Sequence, residues 1–186
     1  MSNLRKTYLY LKGNKYSDII SFLKVYEEFH VKKLSDTYLE ISYEKDIDPE
    51  TFVKARDFSM VELYQDFTGF ISPCNFKCDI EEILNILPDL NPGIYTISEF
   101  IREVVLLNKT RIVQKLRDYY INRFNSETID TILGFIDSDM NASKTAKKLY
   151  MHRNTLNYRL DNFINKTEID VRKFKGALAI YLLFKR

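Results

Sequence analysis

The stretch Asn141–Leu160 limits the fold of this chain most strongly, because it reads as two short helices joined by a tight turn. Asn141 suits the N-cap of the first helix, since its side chain can accept a hydrogen bond from a first-turn amide. The second helix is expected to begin at His152 or Arg153. Between them, the small side chain of Ala146 lets the next helix cross closely, as a helix-turn-helix requires. The stretch therefore predicts that motif.

Apolar residues recur at helical spacing from residue 126 onward and predict four helices. The expected buried stripe of the first consists of Ile129, Ile132, Leu133 and Ile136, and that of the second of Ala142, Ala146 and Leu149. The third is expected to bury Leu156, Leu160, Phe163 and Ile164. The fourth is expected to bury Phe174, Ala177, Leu178, Tyr181 and Leu182, and to close a small bundle behind the third.

Polar side chains of the third helix point away from its apolar stripe, at 100° per residue. They are Asn154, Tyr158, Asp161 and Asn162, with Thr155 beside them and Arg153 and Arg159 on the flanks. Arginine can pair with guanine and asparagine with adenine in the major groove of DNA. The alternative is that these residues merely face water, as they do in any helical bundle.

The first half of the chain mixes predicted strands with helices. Strands are predicted over 7–11, 38–43 and 67–72, and helices over 17–29, 48–64 and 79–87, with a turn at Gly13-Asn14. From Thr96, whose spacing to Glu99 is that of a capping box, the pattern is helical to about Phe124, with a break near Asn108-Lys109. We therefore predict an α+β fold: a small mixed domain over 1–93, connecting helices over 94–125, and an all-helical helix-turn-helix domain over 126–186.

The composition is that of an ordinary globular protein and argues against a membrane-spanning one. The chain is 45% hydrophobic and 29% charged, which is ordinary for a globular protein, and no apolar run approaches the roughly 18 residues of a membrane span. No signal peptide is visible, so we expect a cytoplasmic protein without membrane contact. The net charge is only +2, but residues 126–186 carry 11 basic against 7 acidic residues, so the basic excess coincides with the predicted helix-turn-helix.

Residues suited to catalysis are scarce. Cys74 and Cys78 have no second cysteine pair, and His30 and His152 lie far from them in sequence, so free thiols are expected rather than a metal site. The sequence also contains no phosphate-binding loop and no nucleophile elbow. We therefore expect no enzyme, cofactor or metal.

Four tyrosines fall on the predicted strands and have two interpretations. They are Tyr8, Tyr10, Tyr38 and Tyr43. They could line a ligand pocket or an interface, but packing in the core and on the sheet face is the commoner use of such residues.

Residues 128–184 resemble the C-terminal helix-turn-helix domain of the PucR/CdaR family of bacterial transcriptional regulators. The resemblance lies first in the two predicted helices: Asn-Ala-Ser-Lys-Thr-Ala at 141–146, Leu149, His-Arg-Asn-Thr-Leu at 152–156 and Tyr-Arg-Leu at 158–160. It continues with Glu-Ile-Asp-Val-Arg at 168–172 and with Leu178-Ala179. The same segment is similar to the helix-turn-helix of Fis-type proteins. Two residues depart from the pattern: Tyr150 occupies a turn position that often holds glycine, and Asn157 replaces a common arginine. Residues 1–93 resemble the family's degenerate cyclase-like domain faintly, without its Gly-Gly-Asp/Glu-Glu-Phe signature.

The resemblance and the polar face together predict a sequence-specific transcriptional regulator that binds double-stranded DNA as a homodimer. His152, Arg153 and Asn154 are expected to read bases, and Thr155, Asn157, Tyr158 and Arg159 to contact phosphates or nearby bases. The helix start at Ser143, with Lys144 and Lys147, is expected to hold the DNA backbone. Two alternatives stay open: a protein-interaction or dimerisation module with a vestigial DNA-binding surface, and a protein that senses a small-molecule effector.

Overall fold

A five-stranded sheet forms the first part of the chain. The computed structural model describes residues 4–12, 16–25, 28–44 and 48–185. The strands are β1 (Leu4–Leu11), β2 (His30–Lys33), β3 (Tyr38–Glu44), β4 (Phe67–Ile71) and β5 (Gly93–Tyr95). Their order is β2-β3-β1-β4-β5, and all neighbours run antiparallel except β4 and β5.

Alternating residues of the sheet bury one face against two helices. In β3, for example, Leu39, Ile41 and Tyr43 are buried while their neighbours are partly exposed, as the two-residue period of a strand dictates. The helices are α1 (Tyr16–Leu23) and α2 (Glu50–Glu62), which contribute Ile19, Leu23, Phe52 and Ala55 to the core. A shorter helix, α3 (Ile80–Leu84), and a 3-10 turn over Leu87–Asp89 precede β5.

Two of the strand tyrosines are buried. Tyr43 packs against the rings of Phe29 and Phe52, and its hydroxyl lies 2.9 Å from Oγ1 of Thr7. Burial, the charge of Glu40 and a hydrogen bond to Glu40 together raise the pKa of Tyr8 to about 12, with burial as the largest cause. Tyr43 is therefore a core residue and not part of an exposed pocket.

Helices form the rest of the chain. They are α4 (Ile97–Leu106), α5 (Thr110–Phe124), α6 (Ser126–Ile136), α7 (Ala142–Lys148), α8 (Arg153–Thr167) and α9 (Phe174–Lys185). Asn108 and Asn125, at the two junctions around α5, adopt left-handed φ angles of 54° and 64°, which asparagine tolerates better than most residues. None of the helices in the described ranges is long and apolar enough to cross a membrane.

The chain divides into two units, Met1–Ile97 and Ser98–Arg186. The α+β fold class predicted from the sequence is confirmed, with the sheet in the first unit and the helix-turn-helix in the second. The boundaries predicted at 93 and 125 stay predictions, although α5 packs against α6 and α9 inside the second unit.

Some predicted elements of the first unit were wrong in extent. The helix expected over 17–29 ends as α1 at Leu23, and Phe29 instead precedes β2 and stacks on Phe52 at a centroid distance of 5.2 Å. Strands β2 and β5 were not predicted, because His-Val-Lys-Lys and Gly-Ile-Tyr are too short to show an alternating pattern. The predicted Gly13-Asn14 turn lies outside the described residues.

The buried face of α9 differs from the prediction. Phe174 is 72% exposed and Tyr181 is 42% exposed, whereas Ile180 and Leu183 are fully buried. The residue that decides the rotation of the helix is Gly176, which is buried: a Cβ there would lie 2.2 Å from the carbonyl oxygen of Asp170. Of the predicted stripe, Ala177 is buried and Leu178 and Leu182 are partly buried. The close approach of backbone to backbone at Gly176 leaves no room for a side chain there.

This rotation can be tested by truncation. Ile180→Ala should lower the free energy of unfolding by about 2–5 kcal/mol, because it leaves a cavity in the core of the second unit. Phe174→Ala should change it by no more than about 0.5 kcal/mol, because the ring is largely in water. Urea unfolding followed by circular dichroism measures both, and a larger loss for Phe174→Ala than for Ile180→Ala would contradict the observed rotation.

Candidate nucleic-acid interface

Asn141 begins α7 as the sequence predicted. Its side-chain oxygen accepts a hydrogen bond of 3.0 Å from the amide of Lys144, so the predicted N-cap is confirmed. One turn later, the hydroxyl of Thr145 donates to the carbonyl oxygen of Asn141 at 2.8 Å, and Thr145 is fully buried. These two bonds stabilise the first turn of α7. Ser143, in the same turn, is exposed.

The turn after α7 is closed by two backbone hydrogen bonds. The amide of Met151 donates to the carbonyl of Ala146 at 3.0 Å, and that of Tyr150 donates to Lys147 at 3.4 Å. This pair is the Schellman arrangement, in which the residue after the helix takes the left-handed conformation that glycine prefers. Tyr150 does so with φ of 51°, and its side chain is 98% exposed. The departure from glycine noted in the sequence therefore falls on a strained backbone position.

Small residues bring the helices around α7 close together. Ala146 is 8% exposed, as expected for the residue at the crossing with α8. On the side of α6, a Cβ added to Gly134 would lie 3.1 Å from a methyl group of Leu149. The backbone of α6 therefore lies near α7, and α7 in turn packs against α8.

His152 caps α8. Its Nδ1 accepts a hydrogen bond of 3.2 Å from the amide of Asn154, so the side chain satisfies a free donor at the start of the helix. A neutral imidazole that accepts at Nδ1 carries its proton on Nε2. The exposed edge of the ring therefore offers an N–H donor next to the first turn of α8.

One side of α8 is fully buried through Leu156, Leu160 and Phe163, so the opposite side faces outward. The ring of Phe163 lies 4.9 Å from that of Phe124 and 6.1 Å from that of Tyr120, both on α5. The fourth residue of the predicted stripe, Ile164, is partly exposed.

Most of the predicted DNA-binding residues of α8 lie on its exposed side. We use the term reading face for the exposed residues at its start and along its outward side, together with Asn157 on its flank: His152, Arg153, Asn154, Thr155, Asn157 and Tyr158. Tyr158 is 72% exposed, and Asn157 is partly buried beside the apolar stripe. Lys144 and Lys147 are exposed on α7.

Arg159 is engaged inside the domain. It donates to Oγ1 of Thr131 at 2.9 Å and to Oε1 of Glu127 at 2.6 Å, both on α6, and its side chain is 24% exposed. These bonds link α8 to α6. A contact between Arg159 and DNA stays a prediction, and it would have to share the guanidinium with these two partners.

An acidic residue lies beside the basic ones. Nζ of Lys144 lies 2.7 Å from Oδ2 of Asp139, and the hydrogen bond to this lysine lowers the pKa of the Asp139 carboxyl. Asp139 has a φ of 58° at the end of α6, where its amide donates to Ile136. Further along α8, Asp161 pairs with Arg172 at 2.7 Å. To bind a phosphate, Lys144 would therefore have to give up its ion pair with Asp139.

Sequence reasoning missed two of these features. His152 was expected only as a contact residue, because histidine is not among the usual N-cap residues. The pair between Asp139 and Lys144 was also missed, although the five-residue separation across a helix start was visible in the sequence.

Comparison with known proteins identifies the domain that carries this geometry. Residues 128–185 match the family model described as the PucR C-terminal helix-turn-helix domain. The uncharacterized protein YxkF of Bacillus subtilis (strain 168) is 48% identical over 58 residues, which are 31% of this chain and 20% of YxkF. The DNA-binding transcriptional activator AdeR of the same organism is 35% identical over 68 residues, which are 37% of this chain and 16% of AdeR. The chain thus spans a fifth or less of these relatives.

A solved structure shares the fold over nearly the whole chain. It is that of a regulator of polyketide synthase expression from Bifidobacterium adolescentis, with a TM-score of 0.51 and 19% identity, covering 98% of this chain and 78% of that one. At this identity the likeness concerns the fold alone. The resemblance predicted for 128–184 is confirmed by the family model: residues 128–185 are a PucR C-terminal helix-turn-helix domain.

Proposed function

We propose that this protein is a cytoplasmic transcriptional regulator that binds specific double-stranded DNA sites as a homodimer. The observation that carries the proposal is the reading face: a capped helix, held by a buried stripe, presents exposed polar side chains from its first two turns. Helix-turn-helix proteins insert such a helix into the major groove. The match of 128–185 to a family of regulator domains supports the same role.

Base recognition is assigned to the start of α8. Arg153 is exposed in the first turn, and its fork of donors suits the O6 and N7 acceptors of guanine. Asn154, also exposed, suits adenine. His152 offers its Nε2–H to a base or phosphate acceptor while its Nδ1 holds the cap.

Backbone contacts are assigned to the residues around this start. On α7, the amides near Ser143, with Lys144 and Lys147, face one phosphate strand. On α8, the phosphate or neighbouring base contacts fall to Thr155, Asn157, Tyr158 and Arg159. Such contacts set the register of the protein on DNA without reading its sequence.

The small size of the reading face supports a homodimer. One helix reaches only a few base pairs, so two copies on half-sites about 34 Å apart would supply the specificity.

Arg153→Ala tests base reading. The variant should lose roughly 1–3 kcal/mol of binding to its preferred site and relax the choice of base at one position of each half-site. Lys166→Ala, which removes the same charge in the last turn of α8, should leave the choice of base unchanged. Competition gel shifts at fixed salt measure both. Wild-type discrimination by Arg153→Ala would contradict the assignment.

The two roles of His152 can be separated by substitution. His152→Ala should lower the free energy of unfolding by about 1 kcal/mol, because the amide of Asn154 loses its acceptor. His152→Asn should restore this stability, since asparagine caps well, but not the affinity for DNA, since the outward donor is lost. Thermal unfolding and gel shifts distinguish the roles. Equal stability of the alanine and asparagine variants would contradict the capping role.

Asp139→Asn should strengthen DNA binding. It releases Lys144 from its ion pair and removes a negative charge near the phosphates, so we expect roughly two- to tenfold tighter binding at low salt, shrinking as salt rises. Asp118→Asn makes the same charge change on α5, where the carboxylate bonds to Gln114, and serves as the control. Equal or weaker binding by Asp139→Asn, relative to this control, would count against contact between α7 and the DNA backbone.

A further inference from the structure

We propose that a cavity between α4 and α5 binds a small organic monocarboxylate. The cavity has a volume of about 210 Å³ and is lined by Val105, Asn108, Thr110, Val113, Gln114 and Arg117. Pockets for drug-sized ligands start at roughly 300 Å³, so the ligand that fits here is smaller. None of these residues belongs to the reading face, and the binding itself does not rest on the proposed function.

Arg117 gives the cavity its charge preference. Arg117 is half-buried, and its Nε donates to the carbonyl oxygen of Leu183, which is a neutral acceptor. Within the described ranges, no acidic side chain forms an ion pair with it. A partly desolvated guanidinium is stabilised by a carboxylate, because the planar fork of donors matches two carboxylate oxygens. The Nη groups of Arg117 remain available for such a ligand.

The remaining lining residues select the rest of the ligand. Val105 and Val113 are 5% and 7% exposed and offer an apolar wall, whereas Asn108, Thr110 and Gln114 are polar and lie at the exposed side. A single guanidinium among the lining residues matches one negative charge better than the double charge of a phosphate. The wall and the charge together fit an aromatic or short aliphatic acid.

Arg117 also connects the cavity to α9. The carbonyl that it contacts belongs to Leu183, a fully buried residue of α9, and α9 packs against both α5 and α6. A ligand that engages the guanidinium therefore acts on a side chain that already holds α9. Through this bond, a bound acid can affect the packing of α9 against α5 and α6.

Titration of the full chain with benzoate tests the proposal, with amide and arginine Nε–H resonances followed by NMR in the absence of DNA. We expect saturable shifts at Val105, Val113 and the Arg117 side chain, with a Kd on the order of 1 mM. Benzamide has the same shape without the charge and should bind at least tenfold more weakly. Inorganic phosphate at matched ionic strength should give no saturable shift. Absence of saturation by benzoate, or equal binding of benzamide or phosphate, would overturn the proposal.

Variants locate the binding in this cavity. Arg117→Gln should weaken benzoate binding at least tenfold, and Arg123→Gln, with the same charge change on the same helix, should leave it unchanged. Thr110→Trp places a large side chain at an exposed lining position and should also abolish binding, which keeps the test decisive if loss of the bond to Leu183 unfolds Arg117→Gln. Wild-type affinity in a folded Arg117→Gln or in Thr110→Trp would contradict the site. DNA binding can fail without affecting any of these measurements.

Discussion

Burial of three side chains of α8 sets the orientation on which the reading face depends. Leu156, Leu160 and Phe163 have no exposed surface, and the ring of Phe163 meets Phe124 on α5. Emptying such a position costs about 2–5 kcal/mol, so the helix has little freedom to rotate about its axis. Because residues opposite the stripe must then face outward, the position of Asn154 and Tyr158 is a consequence of the core.

The turns around α7 set its position and carry local strain. Asp139 before it and Tyr150 after it both adopt left-handed φ angles, and each lies in a pair of backbone bonds that closes the preceding helix. A residue with a side chain costs on the order of 1 kcal/mol in this conformation relative to glycine. The ring of Tyr150 regains none of this by packing, because it is almost wholly exposed. The two backbone hydrogen bonds that close the turn stabilise this conformation.

The features that local chemistry determines could be predicted from the sequence. The cap at Asn141, the small residue Ala146 and three of the four residues predicted for the α8 stripe follow from side-chain types at fixed spacing. The rotation of α9 could not be predicted, because it depends on the approach of the Asp170 carbonyl to Gly176, which is set by the path of the preceding loop. The hydrogen bonds of Arg159 to α6 could not be predicted either, because its partners Thr131 and Glu127 lie 28 and 32 residues away in the sequence.

Selection of binding sites from random duplexes with the purified protein shows whether two copies of the reading face recognise DNA. We expect enrichment of an inverted repeat whose half-sites are centred one helical turn apart, about 10–10.5 base pairs, or a multiple of it. We also expect the affinity for the selected sites to fall steeply with salt. Recovery of no preferred sequence at low salt, with the protein folded, would contradict DNA recognition by the reading face.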